Sequence, residues 1–389
     1  RLVYYNNTRE ELARNAVKML EWYGGQYLNG KLPPWYYYLV TAARVVTPVK
    51  DDHGGVGVPD VRPVAVGGRL RCALLKFAVA DAKGPLSERF WPTQVAVGTP
   101  GASDLLVNAV RETMTRAPPD WVVIKIDARN MFNELSRQAI LEELEGNKLT
   151  QRFVPVVRAE FLPKSPIFLA GCGDMQRADF DSAEGGQQGN PLISMAACAA
   201  IQPHVEAADA ALDREGGFAR FQADDGDLCG PVAEALEAFH VLEEGLETKG
   251  CFLSKPKCSA WGPHLSVEDL DAAKRAASWE CDARDLPLVC QGIVVSGTPV
   301  GKEGYVYEWL QEKVEKCRTK VEIICDCLQS RNRHALLTTL RLSTQCLLDH
   351  WLRTCYPSDV KWAAKEFDKI ITNAYECATV AGITKDAAG

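Results

Sequence analysis

A chain of 389 residues is too long for one small core and implies two or three subdomains around a large buried interior. Its 47% hydrophobic and 24% charged residues are those of an ordinary globular protein, which excludes a mainly disordered chain. The formal net charge of −7 excludes a uniformly basic nucleic-acid coat but leaves room for a local basic channel. No run of about 18 apolar residues occurs, so no membrane span is expected, and RLVYYNNTREE lacks the apolar core of a signal peptide. Arg1 rather than Met stands first, so the chain is expected to be part of something longer. The 14 cysteines are scattered through apolar contexts such as MAACAA, IICDCL and STQCLLDH, which points to core thiols in a reducing, intracellular setting. The closest pair, Cys325 and Cys327, is spaced CxC, and no CxxC pair or neighbouring histidine completes a zinc site.

Taken in chain order, Thr8 and Glu11 form a capping-box pair, and Leu12, Val17, Leu20 and Trp22 suit a helix packing on a core. The apolar run WYYYLVTAARVVTPVK leads to Lys50; DDHGGVGVPD then has the composition of a mobile hairpin tip, with Arg62 beyond it. Residues 100–116 read as a helix begun near Ser103 and ended before Pro118 and Pro119. WVVIKID is an apolar strand whose last residue is an acid, followed by the helix SRQAILEELEG. SPIFLAG and FARFQA read as strands, LISMAACAAIQPHV as a buried helix, residues 230–250 as an amphipathic helix, and CSAW and VCQGIVV as short strands. From Gly301 the pattern is helical only, with breaks expected near Ser330 and Pro357. A mixed α+β body with a helical appendage is the expected fold class.

Asp127 ends a strand, and Asp224 and Asp225 fall at the apparent turn of a hairpin, FARFQA-DD-GDLCG. If these strands are neighbours, three carboxylates meet at one sheet edge, where like charges disfavour each other's ionisation. A divalent cation with hard oxygen ligands relieves this, and two such ions about 4 Å apart serve phosphoryl transfer. The competing reading is that Asp-Asp-Gly is simply a turn, which Asp-Gly favours.

In sequence order, PTQVAVGTPGASDLLVNAVR, VIKIDARNMFNELSR, EGGQQGNPL, QADDGDLCG, GCFLSKPKC and GIVVSGTPVG resemble the finger-to-palm motifs of reverse transcriptases, most of all those of non-LTR (LINE-like) retrotransposons. The resemblance runs from about Lys50 to Gly301 and implies a right-hand polymerase fold. Fingers would span 1–118, a palm of antiparallel sheet with helices 119–300 with a finger insertion around 145–188, and a helical thumb 301–389. It implies an RNA-directed DNA polymerase acting on an RNA template, a DNA primer and dNTPs. Two Mg²⁺, with Mn²⁺ as a substitute, would be held by Asp127, Asp224 and Asp225. Lys50 and Arg62 would hold the triphosphate. Phe132 would be the steric gate under the sugar, and Gln188 and Gly189 the loop against nucleotide and template. Lys257, with Lys255 as neighbouring alternative, would assist the leaving pyrophosphate, and residues 292–301 would grip the primer end. Asn133 and Arg137 fall on the gate motif, where helix capping and ligand contact are both open. Nuclear location follows from the resemblance alone, an organellar assembly being the alternative. The alternative function is a retrotransposon-derived, non-catalytic structural or RNA-binding subunit of a larger ribonucleoprotein. The sequence departs from the family at Gln222, where an aromatic residue precedes the Ala-Asp-Asp, at Asn190, where an acid is common, and at Ser296, where a large aliphatic residue is usual.

Overall fold

The computed structural model describes residues 9–51, 60–61, 63–169, 179–214, 216–277, 279, 285–328 and 332–380. It begins with α1 (Arg9–Leu28), α2 (Pro34–Val40), β1 (Ala43–Val46), β2 (Val49–Asp51), β3 (Asp60–Val61), β4 (Val64–Val66), α3 (Arg69–Asp81), α4 (Lys83–Phe90) and α5 (Ala102–Arg116). There follow β5 (Trp121–Arg129), α6 (Met131–Glu134), α7 (Arg137–Gly146), α8 (Val154–Phe161), β6 (Ser165–Leu169), β7 (Asp179–Ser182) and α9 (Ile193–Asp213). Next come β8 (Phe218–Gln222), β9 (Asp225–Pro231), α10 (Val232–Thr248), β10 (Phe252–Leu253), β11 (Ser259–Trp261), α11 (Val267–Ala276), β12 (Gly292–Val295) and β13 (Thr298–Gly301). The last part is α12 (Glu303–Leu328), α13 (Arg333–Thr339), α14 (Asp349–Thr354) and α15 (Pro357–Val380). The chain thus mixes helix and sheet up to β13 and is helical beyond it. Among the described residues no helix is long and apolar enough to cross a membrane.

The central sheet has the order β10-β5-β9-β8, with β11 also paired to β5. Alternation along β5 divides its side chains between two apolar layers. Val122, Ile124 and Ile126 enter the main core with α9 and α10, whereas Val123 joins a second cluster with Leu106 and Val110 of α5 and Ile293, Val295 and Val300 of the β12–β13 hairpin. The sequence ISMAACAAIQ has no polar face, and α9 is correspondingly buried on nearly all sides over that stretch. A second sheet, β4-β1-β6-β7, joins strands distant in sequence, since β1 pairs β6 in parallel and β4 antiparallel. The final helices form a separate core, with Val306, Leu310, Val314, Cys317 and Val321 of α12 facing Val360, Ala363, Phe367 and Ile370 of α15.

A buried ion pair joins α3 to α8. Arg71 on α3 donates to both carboxylate oxygens of Glu160 on α8, at 3.2 and 2.7 Å, with side-chain exposures of 4% and 0%. The Tyr27 hydroxyl and Asn190 Nδ2 (3.0 Å) also donate to Glu160, and Arg71 reaches Gln187 Oε1 at 3.3 Å. Burial pulls the Arg71 pKa down, and the Glu160 charge more than offsets it. Burial, then Glu160, raises that of Tyr27. Asn190 has an immediate rationale: an acid there would face Glu160 as a like charge, whereas the amide donates to it.

Several sequence expectations are corrected. Leu12, Val17, Leu20 and Trp22 on α1 are exposed at 49–65%; the helix packs instead through Tyr23 and Tyr27, against Tyr36 and Tyr37. Its apolar residues are spread around the helix, so periodicity alone selects the wrong face. The helical tail breaks once more than expected, at Leu340–Thr344, where the helix widens before α14. Thr8, Ser330, Arg62 and the loop 52–59 lie outside the described residues. The described cysteines are free thiols, and Cys198, Cys229, Cys251, Cys258, Cys317 and Cys355 are buried.

Glu160→Ala and Glu160→Gln should each lower unfolding free energy by about 3–5 kcal/mol, because both strand a buried guanidinium and Gln also turns an amide N–H toward two donors. Urea denaturation of the two variants is the check, and an Ala cost below about 1 kcal/mol would count against a tightly coupled network.

Candidate active site

Strands β5 and β9 are antiparallel, and Asp127 lies directly opposite Asp225. Gln222 of β8 lies opposite Asp225 on its other side, so Asp127, Asp225 and Gln222 form one row across the sheet. Direct cross-strand partners place their Cβ atoms roughly 4.5–5.5 Å apart, and like charges so placed are destabilising. Asp225 is exposed and Asp127 and Asp224 are half-buried, so the row ends at solvent.

The turn itself differs from the sequence reading. It consists of Ala223 and Asp224 rather than Asp224 and Asp225, because Asp225 already begins β9. Gly226 is required for another reason: a Cβ there would lie 2.2 Å from the ring of Phe221, its cross-strand partner. Ala223 takes φ = 62°, the sign that the first central residue of a type II′ hairpin turn needs and that costs a residue with a Cβ roughly 1–2 kcal/mol.

Other elements converge on this end. Ser254, just after β10, donates its N–H to Asp127 O at 2.8 Å. The Asp127 N–H points at Cys258 Sγ at 3.3 Å, and burial pushes that thiol up to about 12, so it stays protonated near neutral pH. Lys257 is exposed on the same turn, whereas Lys255 is paired with Glu243 at 2.9 Å. Phe132, on α6, is half-buried; its carbonyl accepts from Gly186 N at 2.7 Å, which ties the Gly-rich loop to α6. Gln188 O accepts from Ala65 N at 2.7 Å, and Gly189 is exposed at φ = 116°. Lys50 lies on β2, and Arg62 lies outside the described residues.

Arg137 neither caps a helix nor faces the acids. Ser136 is the cap of α7, accepting from Ala139 N, while Arg137 is buried and donates to the carbonyls of Pro163, Ser182, Glu184 and Gly185 and to Ser182 Oγ. It is a staple for the loop before Gln187. Burial lowers its pKa, with Glu184 opposing.

Below the row, Lys125, Asp227 and Arg220 lie opposite one another. Lys125 donates to Val294 O at 3.0 Å, and Arg220 pairs with Asp209 at 2.7 Å. Burial pushes the Asp227 carboxyl up to about 7, Lys125 opposing and Asp225 adding to the effect. Its Oδ1 is buried without a hydrogen-bond partner.

Two of the departures from the family pattern are bonded to each other. Gln222 Oε1 accepts from Ser296 Oγ at the tip of the β12–β13 hairpin and from Ser103 Oγ on α5, both at 3.0 Å. Ser296 and Gly297 take φ = 43° and 77°, as a type I′ turn requires. His350 Nε2 lies 3.0 Å from Ser296 O, and Trp351 Nε1 donates to Gly297 O at 3.1 Å, which joins α14 to the same hairpin.

The donor chemistry fits a hard divalent ion: two facing carboxylates, with a third beside them in the turn. Among the described residues, however, no three Asp, Glu, His or Cys side chains are grouped as they stand to hold one.

No protein-family model and no curated protein matches the sequence. Among solved structures, apo telomerase from Candida Tropicalis truncated from the C-terminal domain is similar at a TM-score of 0.43 and 11% identity, covering 57% of this chain and 50% of that one. Apo telomerase from the same organism gives the same TM-score and identity, covering 57% of this chain and 44% of that one. This chain thus matches half or less of the length of those proteins.

Gly189→Ala should disorder the loop, because its Cβ would lie 2.4 Å from Ala65 O at a positive φ. Loss of thermal stability, with faster amide exchange at Ala65, is the expected readout. A double-mutant cycle of Gln222→Ala and Ser296→Ala should give a coupling of about 0.5–1.5 kcal/mol; additive effects would deny the bond a role.

Proposed function

We propose that this chain is an RNA-directed DNA polymerase of right-hand architecture, with residues up to 118 as fingers, 119–300 as palm and the helices from 301 as thumb. The observation that carries the reading is the register that sets Asp127 opposite Asp225 at the open end of the sheet, with Asp224 beside them in the turn. A sequence that only needed a hairpin turn would have no reason to align an acid from a third strand with it. The ordered motifs around these acids support the same reading.

Asp127, Asp224 and Asp225 would hold Mg²⁺. Bound there, the ions supply charge neutralisation at the phosphates and activation of the primer 3′-hydroxyl. The chain's own residues do the positioning, which supplies much of the rate in phosphoryl transfer. Lys50 and Arg62 hold the triphosphate. Phe132, fixed through Gly186, lies under the sugar and disfavours a 2′-hydroxyl. Lys257, exposed on the turn tied to Asp127, is placed to meet the leaving pyrophosphate. The β12–β13 hairpin, held to the sheet by Lys125 and Gln222, supports the primer end. RNA template, DNA primer and dNTP are the proposed partners, within a larger ribonucleoprotein and with retrotransposon origin as the finer form of the reading.

The test is primer extension on an RNA template with Mg²⁺. Asp127→Ala and Asp224→Ala should each lower the rate by about 10²–10³-fold, and Phe132→Ala should raise incorporation of rNTP relative to dNTP. Absence of extension by the parent chain, with RNA binding retained, would favour the non-catalytic subunit instead.

A further inference from the structure

We propose that Gln94 is the positioning residue of the acid-bearing turn: its carboxamide holds the peptide of Ala223 in the left-handed conformation that aims Asp224. The inference rests on Asp224 being functional, as proposed above, but the clamp itself is a property of this chain's packing.

The backbone of residues 93–95 runs beside β8 as a parallel extension of the sheet. Phe221 N donates to Thr93 O and Val95 N to Phe221 O, both at 2.7 Å. In a strand, residues two apart turn their backbone groups to the same side, so Ala223 presents its N–H and C=O toward the same neighbour. Among the described residues no further backbone meets them there. Instead, Gln94 Oε1 accepts from Ala223 N at 2.8 Å, and its Nε2 donates to Ala223 O at 3.2 Å. The side chain therefore stands in for one more residue of ladder, at the point where the chain leaves the sheet for the turn. Ala96 N also donates to Oε1, at 3.2 Å. Two backbone N–H groups aimed at one amide atom fix it as the oxygen, so the orientation of the amide is set by its surroundings.

Gln94 is 0% exposed, and a buried carboxamide whose peptide partners were removed would leave polar groups unpaired away from water. Ala223 has no intrinsic preference for φ = 62°, in contrast to a glycine. Released from the clamp, it would return to negative φ and change the direction in which Asp224 leaves the sheet. A carboxamide suits the place uniquely among side chains of this length. Glutamate would keep the acceptor but lose the donor and add a fourth negative charge beside the acids, and methionine would keep the length and lose all three bonds.

The test uses the full chain with Gln94→Met, Ala223→Gly and the pair combined, read by amide hydrogen exchange and by Mn²⁺ binding followed by electron paramagnetic resonance. In Gln94→Met, exchange at Ala223 and Asp224 should accelerate by at least about tenfold, with the amides of the β5–β9 ladder unchanged, and Mn²⁺ affinity should fall by about the same factor. Adding Ala223→Gly should restore most of the Mn²⁺ affinity, since glycine reaches positive φ without a clamp, while leaving any loss of melting temperature from the Gln94 cavity in place. A general structural role would show the reverse, with stability and affinity falling together and no rescue by glycine, and would overturn the proposal. Unchanged exchange at Ala223 in Gln94→Met would overturn it directly. If the parent chain binds no Mn²⁺ through Asp224, the polymerase reading fails, and the exchange experiment still decides whether Gln94 clamps the turn.

Discussion

The whole site depends on one constraint, the register between β5 and β9. Because strand side chains alternate with period 2, the register that sends Val122, Ile124 and Ile126 into the main core must send Lys125 and Asp127 to the other face. A slip of one residue would drive Lys125 and Asp127 into the apolar main core, at a cost no local interaction could offset. The acids therefore converge because the core is apolar, and the core fixes their height in the sheet to within one residue. Phe221 packed over Gly226 closes the alternative from the β8 side.

Around that register the molecule adds supports of decreasing stiffness. The α9 and α10 layer is continuous apolar packing. The opposite layer, α5 with the β12–β13 hairpin, covers only the lower part of the sheet and leaves the acid row open. Its link to the row is polar: Lys125 to Val294 O, and Gln222 to Ser296 and Ser103. Through His350 and Trp351 the same hairpin is joined to the terminal helices, and Arg111 of α5 donates to Thr354 O at the end of α14. Movement of those helices would reach the acids through these hydrogen bonds as well as through the apolar contacts of the hairpin with β5.

The second sheet is held differently. Glu160, Arg71, Tyr27, Gln187 and Asn190 form one satisfied, buried polar hub, with Gln187 Nε2 also donating to Thr41 O at 2.8 Å. Such a hub contributes more to fixing one arrangement than to net stability. It places the Gly-rich loop, and with it Gln188 and Gly189, at a defined height over Phe132. Arg137 secures the preceding residues by binding four carbonyls.

Much of this was legible in the sequence wherever the signal is local. An apolar run ending in an acid, a strand pair around Ala-Asp-Asp-Gly, a helix with no polar face and the helical tail all declare themselves through composition and period. The sequence alone therefore determined which residues carry charge to the end of which strands. It misplaced the buried face of α1, where apolar residues occur all round, and it set the turn one residue late, at Asp224-Asp225, drawn by the Asp-Asp-Gly composition that favours turns in isolation. Only the tertiary structure decided that Asp225 faces Asp127, that Gly226 serves Phe221, and that Gln94, Glu160 and Arg137 are the supports. The physical reason is separation: Gln94 binds a peptide 129 residues away and Arg71 a carboxylate 89 residues away, and a polar residue whose partner lies that far off looks in sequence like any solvated side chain.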